Sequence, residues 1–194
     1  MKFNISLFRF RAFAELSLFS RSYDHTDGFS NRTQFGDYVV FLDFDNFKIE
    51  WLKDELDRLV KWFGLSHFII LRSGPKNYHA ICLDRVPYDT YKRILTSCSV
   101  DPNFRSVPIN ASFKSWILRT QAKRDRTEPE FIEFLKGDPA GFSPVSKAHY
   151  EYMVRSELIP PEHRLTIYKY LKSLMDKSHK LYVTAYETGT KQVF

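Results

Sequence analysis

The stretch Val39-Val40-Phe41-Leu42-Asp43-Phe44-Asp45-Asn46 is an apolar β-type run that ends in two carboxylates. Alternation along a strand places Asp43 and Asp45 on one face and Phe44 on the other. Two like charges held that close repel. An Asp-Phe-Asp at the end of a buried strand is therefore costly unless a divalent cation such as Mg²⁺ or Mn²⁺ sits between the carboxylates. The same letters also describe an apolar strand running into an Asp/Asn-rich turn, because Asp and Asn cap the helix that follows such a turn. On this stretch alone both readings stand.

Downstream, Ile49, Trp51, Leu52, Leu56, Leu59, Val60, Trp62 and Phe63 recur with helical period, and Gly64 supplies a C-cap. Residues 66–72 form a β run, Ser73-Gly74-Pro75-Lys76-Asn77 a turn, and 78–83 a second β run, the pattern of a hairpin. A helix is expected over 87–98. Strand, helix, strand, strand, helix describes an open sheet covered by helices rather than a sandwich. Residues 99–112 read as irregular, with Pro102 and Pro108, and 113–119 as a further strand. Upstream, 2–13 alternates as a strand would and 20–36 reads as a loop. Beyond Thr127 the texture turns helical. Helices are expected at 129–135, 145–156 and from Pro160 or Pro161 to about 177, with a closing strand at 181–186.

The chain of 194 residues carries 29 Lys and Arg against 23 Asp and Glu, a net charge of +6, which leans toward a polyanionic partner. Aromatic residues make up 16% of it, and rings interleaved with cations suit base stacking, although most Phe in any chain is core. Cys82 and Cys98 lack any Cys-x-x-Cys or Cys/His companion and read as buried free thiols. No apolar stretch approaches the ~20 residues of a membrane span, and Arg9, Arg11 and Glu15 interrupt the N-terminal pattern. The expectation is a soluble, intracellular protein with no targeting segment and no membrane partner.

With the hairpin placed, residues 37–126 resemble the catalytic core of the archaeo-eukaryotic primase superfamily, the primase-polymerases of archaea, plasmids and viruses. The first motif of that family is an apolar run ending Asp-x-Asp, here Phe41-Leu42-Asp43-Phe44-Asp45. The second is a small residue followed shortly by His at the start of a strand, here within Arg72-Ser73-Gly74-Pro75-Lys76-Asn77-Tyr78-His79. The resemblance implies an α+β fold: an RRM-like open β-sheet core covered by helices, residues 1–126, with a mainly helical C-terminal extension, residues 127–194. It also implies two-metal nucleotidyl transfer of NTPs or dNTPs on a single-stranded DNA template, in a cytoplasmic prokaryotic, plasmid or viral setting, with room for a helicase or other replication protein as partner.

In such a reaction divalent ions bridge carboxylates, triphosphate and the attacking 3′-oxygen, which calls for hard oxygen ligands on a rigid strand. Asp43 and Asp45 take that role, with Mg²⁺ or Mn²⁺ as cofactor. His79, Arg72, Ser73, Gly74 and Lys76 would meet the triphosphate, the cations and imidazole as donors and Gly74 as a point of close backbone approach. Alone, His79 reads equally as a half-buried histidine beside Tyr78. The third family motif, an apolar residue and an acid on a later strand, has no counterpart in 113–119. Asp101 either supplies the third ligand or the site has two carboxylates. Arg119 and Lys123 resemble an Arg followed by a Lys-containing loop that some members carry, and would hold template or triphosphate. Arg119, Lys123, Arg124 and Arg126 form the most basic stretch and a nucleic-acid track, against the plainer reading of a solvated face.

Two other classes fit part of the pattern. An Asp-x-Asp phosphohydrolase or nuclease would use the first acid as nucleophile or metal ligand, but Asn46-Phe47 and the sparse later acids speak against it. A non-catalytic RRM-like nucleic-acid-binding replication protein would keep the sheet and basic loops without the chemistry. The His-x-His pair of a rolling-circle initiator is absent among the 6 His.

Overall fold

The computed structural model describes residues 28–106, 115–120, 122, 127–137 and 144–187, with side chains to residue 177. The expected strand at 2–13 lies outside that set. Six strands and five helices follow in the order β1 (Gly28–Ser30), β2 (Tyr38–Phe44), α1 (Ile49–Phe63), β3 (His67–Gly74), β4 (Asn77–Val86), α2 (Tyr88–Thr96), α3 (Pro102–Ser106), β5 (Ile117–Arg119), β6 (Glu130–Lys136), α4 (Lys147–Arg155) and α5 (Pro161–Glu187). The fold is α+β, with an antiparallel sheet in the order β2-β4-β3-β6 and a small β1-β5 pair.

Strand β4 fills the gap between β2 and β3, antiparallel to both, while α1 crosses from one to the other. Both faces of the sheet are apolar, so both must be covered. Val40, Leu42, Phe44, Phe68, Ile70, Ala80 and Cys82 pack under α1 and α2. Val39, Phe41, Ile69, Leu71, Ile81 and Leu83 pack under α4 and α5. The segment beyond Thr127 thus contributes an edge strand and the second helical layer.

Helix α1 buries Leu52, Leu56, Leu59 and Val60, and ends where Gly64 takes φ 65° and donates its N–H to the Val60 carbonyl. Trp51 and Trp62 share its helical period but flank the buried stripe and stand in solvent.

Four local expectations are corrected. The repeat of Phe131/Phe134 and Ile132/Leu135 every three residues predicts a helix over 129–135, yet these residues form strand β6. A bulge opposite Ile70/Leu71 gives β6 one extra residue, so Phe131 and Phe134 still reach one core while Ile132 and Leu135 reach the other. Residues 181–186, expected as a strand, continue α5, since extending a formed helix adds one hydrogen bond per residue fixed. The stretch expected as irregular holds α3, and the loop before β2 holds β1.

Asn31 joins the two sheets. Fully buried, it donates from Nδ2 to the Val39 carbonyl at 3.1 Å and accepts the Trp116 N–H on Oδ1 at 2.9 Å. Its own backbone pairs with Trp116 and Val39. Asn31→Ala leaves a buried N–H and carbonyl unsatisfied and is expected to cost about 1–3 kcal/mol, read as a lower urea midpoint with unchanged slope. An unchanged midpoint contradicts this role.

Candidate active site

Antiparallel pairing sets Asp43 of β2 directly opposite His79 of β4. His79 Nε2 lies 3.5 Å from Asp43 Oδ1, with the Asp43 side chain 22% exposed and that of His79 5% exposed. Both sit on the sheet face that carries Phe41 and Ile81, at the strand ends past the cover of that core. Asp45, two residues on, is exposed.

The chain leaves β2 through Asn46 at φ 58°, a left-handed conformation that Asn tolerates better than most side chains. The Asn46 N–H donates to Asn77 Oδ1 at 3.0 Å, and the Phe47 N–H donates to the Lys76 carbonyl at 2.8 Å. These two bonds fasten the loop after the carboxylates to the β3–β4 turn. Acid pair and turn are therefore held as one unit. Neither Asn stands out in the sequence, although an Asn directly after Asp-x-Asp is the signal for a left-handed exit.

Within the turn, Ser73 is fully buried, and its hydroxyl has no hydrogen-bond partner among the described residues. Gly74 is packed against Asn77, where an added Cβ would meet the amide nitrogen at 3.2 Å. Lys76 points to solvent. Arg119 on β5 reaches the same place. Its Nη2 donates to the Ser73 carbonyl at 3.0 Å and its Nη1 to the Thr127 carbonyl at 2.7 Å, so it braces the turn and gathers both ends of the basic stretch.

Arg72 and Asp101 sit differently. Arg72 stands opposite Tyr78, on the face away from Asp43, and lies 4.0 Å from Glu130. The Asp101 N–H donates to the Asp43 carbonyl at 2.8 Å, which brings that residue beside the site. Its carboxylate Oδ2 accepts the Phe104 N–H at 2.8 Å and caps α3. Lys123, Arg124 and Arg126 lie outside the described residues.

A second constellation is not evident from sequence. His67, Cys82 and Asp84 bring three ligand atoms within 4.8 Å of one another, all buried, the one such cluster among the described residues. Its atoms are already committed. The Leu83 N–H donates to His67 Nε2 at 3.1 Å, which makes Nδ1 the protonated nitrogen, donating to Ser66 Oγ at 2.6 Å. The Ser66 hydroxyl and N–H in turn donate to the two oxygens of Asp84. Burial, with Asp84 adding to it, pushes the Cys82 thiol well above its ordinary range and keeps it protonated. Tyr170 of α5 donates to the Ser66 carbonyl at 2.5 Å and packs edge-on against His67. The cluster is a satisfied polar lock between sheet and helix, with no lone pair of the imidazole left for a metal.

The Asp43–Asp45–His79 end offers a different chemistry. A carboxylate with solvent access, an imidazole beside it and a second, exposed acid two residues on lie next to a turn that is fixed to their loop. No protein-family model matches this chain, no curated protein matches its sequence, and no solved structure matches its fold.

The buried lock has a pH consequence. Desolvation outweighs the nearby Asp84 carboxylate and lowers the His67 pKa to about 4, below the ~6.5 of an exposed imidazole. The stabilisation is complete above pH ~6.5, where both states are neutral, and is lost as pH falls toward 4, because the unfolded chain takes up the proton first. His149, lowered by its own burial, adds the same sign. Urea midpoints should drop over that window by the equivalent of about 3 kcal/mol per fully buried imidazole, and His67→Gln should flatten the fall. A profile equally steep in the variant contradicts the assignment.

Proposed function

We propose that this chain is a metal-dependent nucleotidyltransferase of the archaeo-eukaryotic primase type, a primase or primase-polymerase core acting on a single-stranded DNA template. The observation that carries the reading is the cross-strand pair. The acid of the first motif and the histidine of the second, 36 positions apart by their numbers, are register partners at 3.5 Å. The run β2-α1-β3-β4-α2 also has the split βαβ form from which RRM-like sheets are built. It departs from that plan afterwards: β5 pairs with β1, and β6 joins the sheet beside β3.

Asp43 near the end of β2 and the exposed Asp45 just past it would hold Mg²⁺ or Mn²⁺ through their carboxylate oxygens. When bound, such ions lower the barrier by binding the triphosphate and the attacking 3′-oxygen together. His79 steadies the Asp43 carboxylate from the adjacent strand and donates toward the phosphates. Arg119 holds the Ser73 end of the turn, and Lys76 faces outward to meet the incoming polyphosphate. Lys123, Arg124 and Arg126, with Arg119, complete the basic track for template. The setting is a prokaryotic, plasmid or viral replicon.

One observation favours a second reading. The Asp101 carboxylate is engaged at α3, so two carboxylates rather than three stand at the strand end. A binding-only relative with the same sheet would look this way.

Incubation with single-stranded DNA, labelled nucleotides and Mn²⁺ separates the two. The nucleotidyltransferase yields short products, and Asp43→Asn abolishes them while leaving the melting temperature unchanged or raised, since one of two repelling charges is gone. Absence of product with wild-type protein, or full activity in Asp43→Asn, rejects the reading. His79→Ala is expected to raise the nucleotide KM and lower kcat, a loss of about 2–4 kcal/mol of transition-state stabilisation, with template affinity retained.

A further inference from the structure

Asp43 and Asp45 are held in different ways. The ladder between β2 and β4 ends at the Phe44–Tyr78 pair, so Asp43 is fixed by register opposite His79, while Asp45 lies just past the last rung. The link from there to α1 is short, and Lys48 at its end makes no side-chain cap bond. What reaches this link is the start of β4. Asn77 accepts the Asn46 N–H on Oδ1 at 3.0 Å, directly behind Asp45 in the chain. Asn46 has to be held, because its φ of 58° costs a residue with a side chain energy unless the surroundings impose it.

The other end of that bond is pinned as well. Pro75 and Lys76 alone join β3 to β4, and Gly74 pairs with Asn77 across them. Two-residue hairpins favour turns with left-handed residues. Pro75 is locked at a φ of about −65°, and Lys76 is not among the non-glycine residues with positive φ. The turn therefore lacks the twist that would let it hold itself. It is held from outside, by Arg119 at the Ser73 carbonyl and by the Phe47 N–H at the Lys76 carbonyl. Gly74 backs the Asn77 side chain, where an added Cβ would stand 3.2 Å from the amide nitrogen. Phe47, its ring centre 5.3 Å from that of Phe44, keeps the rest of the link on the core independently of Asn77.

We infer that Asn77 is a positioning residue: through the Asn46 amide it sets Asp45 where its carboxylate and that of Asp43 share one divalent cation. One strand then places both acids, with His79 facing Asp43 and Asn77 holding the residue after Asp45. The inference rests on the reading of Asp43 and Asp45 as metal ligands and adds the residue on which the second of them depends.

In the metal-free full chain, Asn77→Ala should open the Asn46 amide to rapid hydrogen exchange and leave the Phe47 amide protected. The melting temperature should fall by no more than about 4 °C, the scale of one hydrogen bond in a chain of this size. Mn²⁺ affinity, read from the electron paramagnetic resonance of free Mn²⁺, should drop about tenfold or more, as it does when a group that orients a ligand is removed. Asn77→Asp keeps the acceptor oxygen and should restore both the protection and the affinity. In an Asp45→Asn background Asn77→Ala should cost no further Mn²⁺ affinity, because it acts through Asp45. Losses that add in the double variant, or wild-type Mn²⁺ affinity in Asn77→Ala, overturn the inference and leave the metal site standing. A wild-type chain that takes up no Mn²⁺ overturns the nucleotidyltransferase reading and this inference with it.

Discussion

Strand β4 is bonded on both edges and covered on both faces, and that confinement sets the register of everything near the candidate site. Ala80 and Cys82 face one core while Ile81 and Leu83 face the other. A slip of one residue would exchange the two sets and drive His79 into the layer under α1. With the register held, Asp43 and His79 have no alternative but to meet. The pairing at the site follows from apolar packing several residues away, so the chemistry rests on a scaffold it does not itself stabilise.

The second helical layer matters for the same reason. Tyr170 ties α5 to the Ser66–His67–Asp84 lock, and His149 ties α4 to Ser30 through a 2.9 Å bond. Polar groups sealed between sheet and helices are tolerated because each donor finds an acceptor, and they become a liability as pH falls. Arg119 extends this bracing to the turn, using main-chain carbonyls rather than a carboxylate, so its grip does not depend on the protonation of a partner.

The parts of the fold legible in sequence are those written locally. The Asp-x-Asp strand, the α1 stripe with its Gly64 stop and the hairpin around Gly74-Pro75 all declare themselves within a dozen residues. What stayed hidden depends on long-range partners. The bulge that turns a three-residue apolar repeat into strand β6 exists only against β3. The lock at His67 needs Asp84 from the neighbouring strand, and Asn31 joins residues 85 positions away. That the strand of Asp43 and the strand of His79 run into one turn-rich end could be read in advance, and pairing makes the two residues register partners there. The facing of Arg72 toward the other core and the capping duty of Asp101 could not, because side-chain parity and loop path are set by pairing, not by residue type.

The central claim is that the strand ends at Asp43 and His79, not the buried His67–Cys82–Asp84 cluster, receive the divalent cation. Paramagnetic broadening of backbone amide signals by substoichiometric Mn²⁺, recorded with a non-hydrolysable triphosphate present, tests it most directly. The account predicts broadening centred on Asp43–Asp45, the 73–79 turn and Asp101, with the Ser66–His67 and Asp84 signals outside the centre. Broadening centred on His67 and Asp84, or none at Asp43–Asp45, would contradict it.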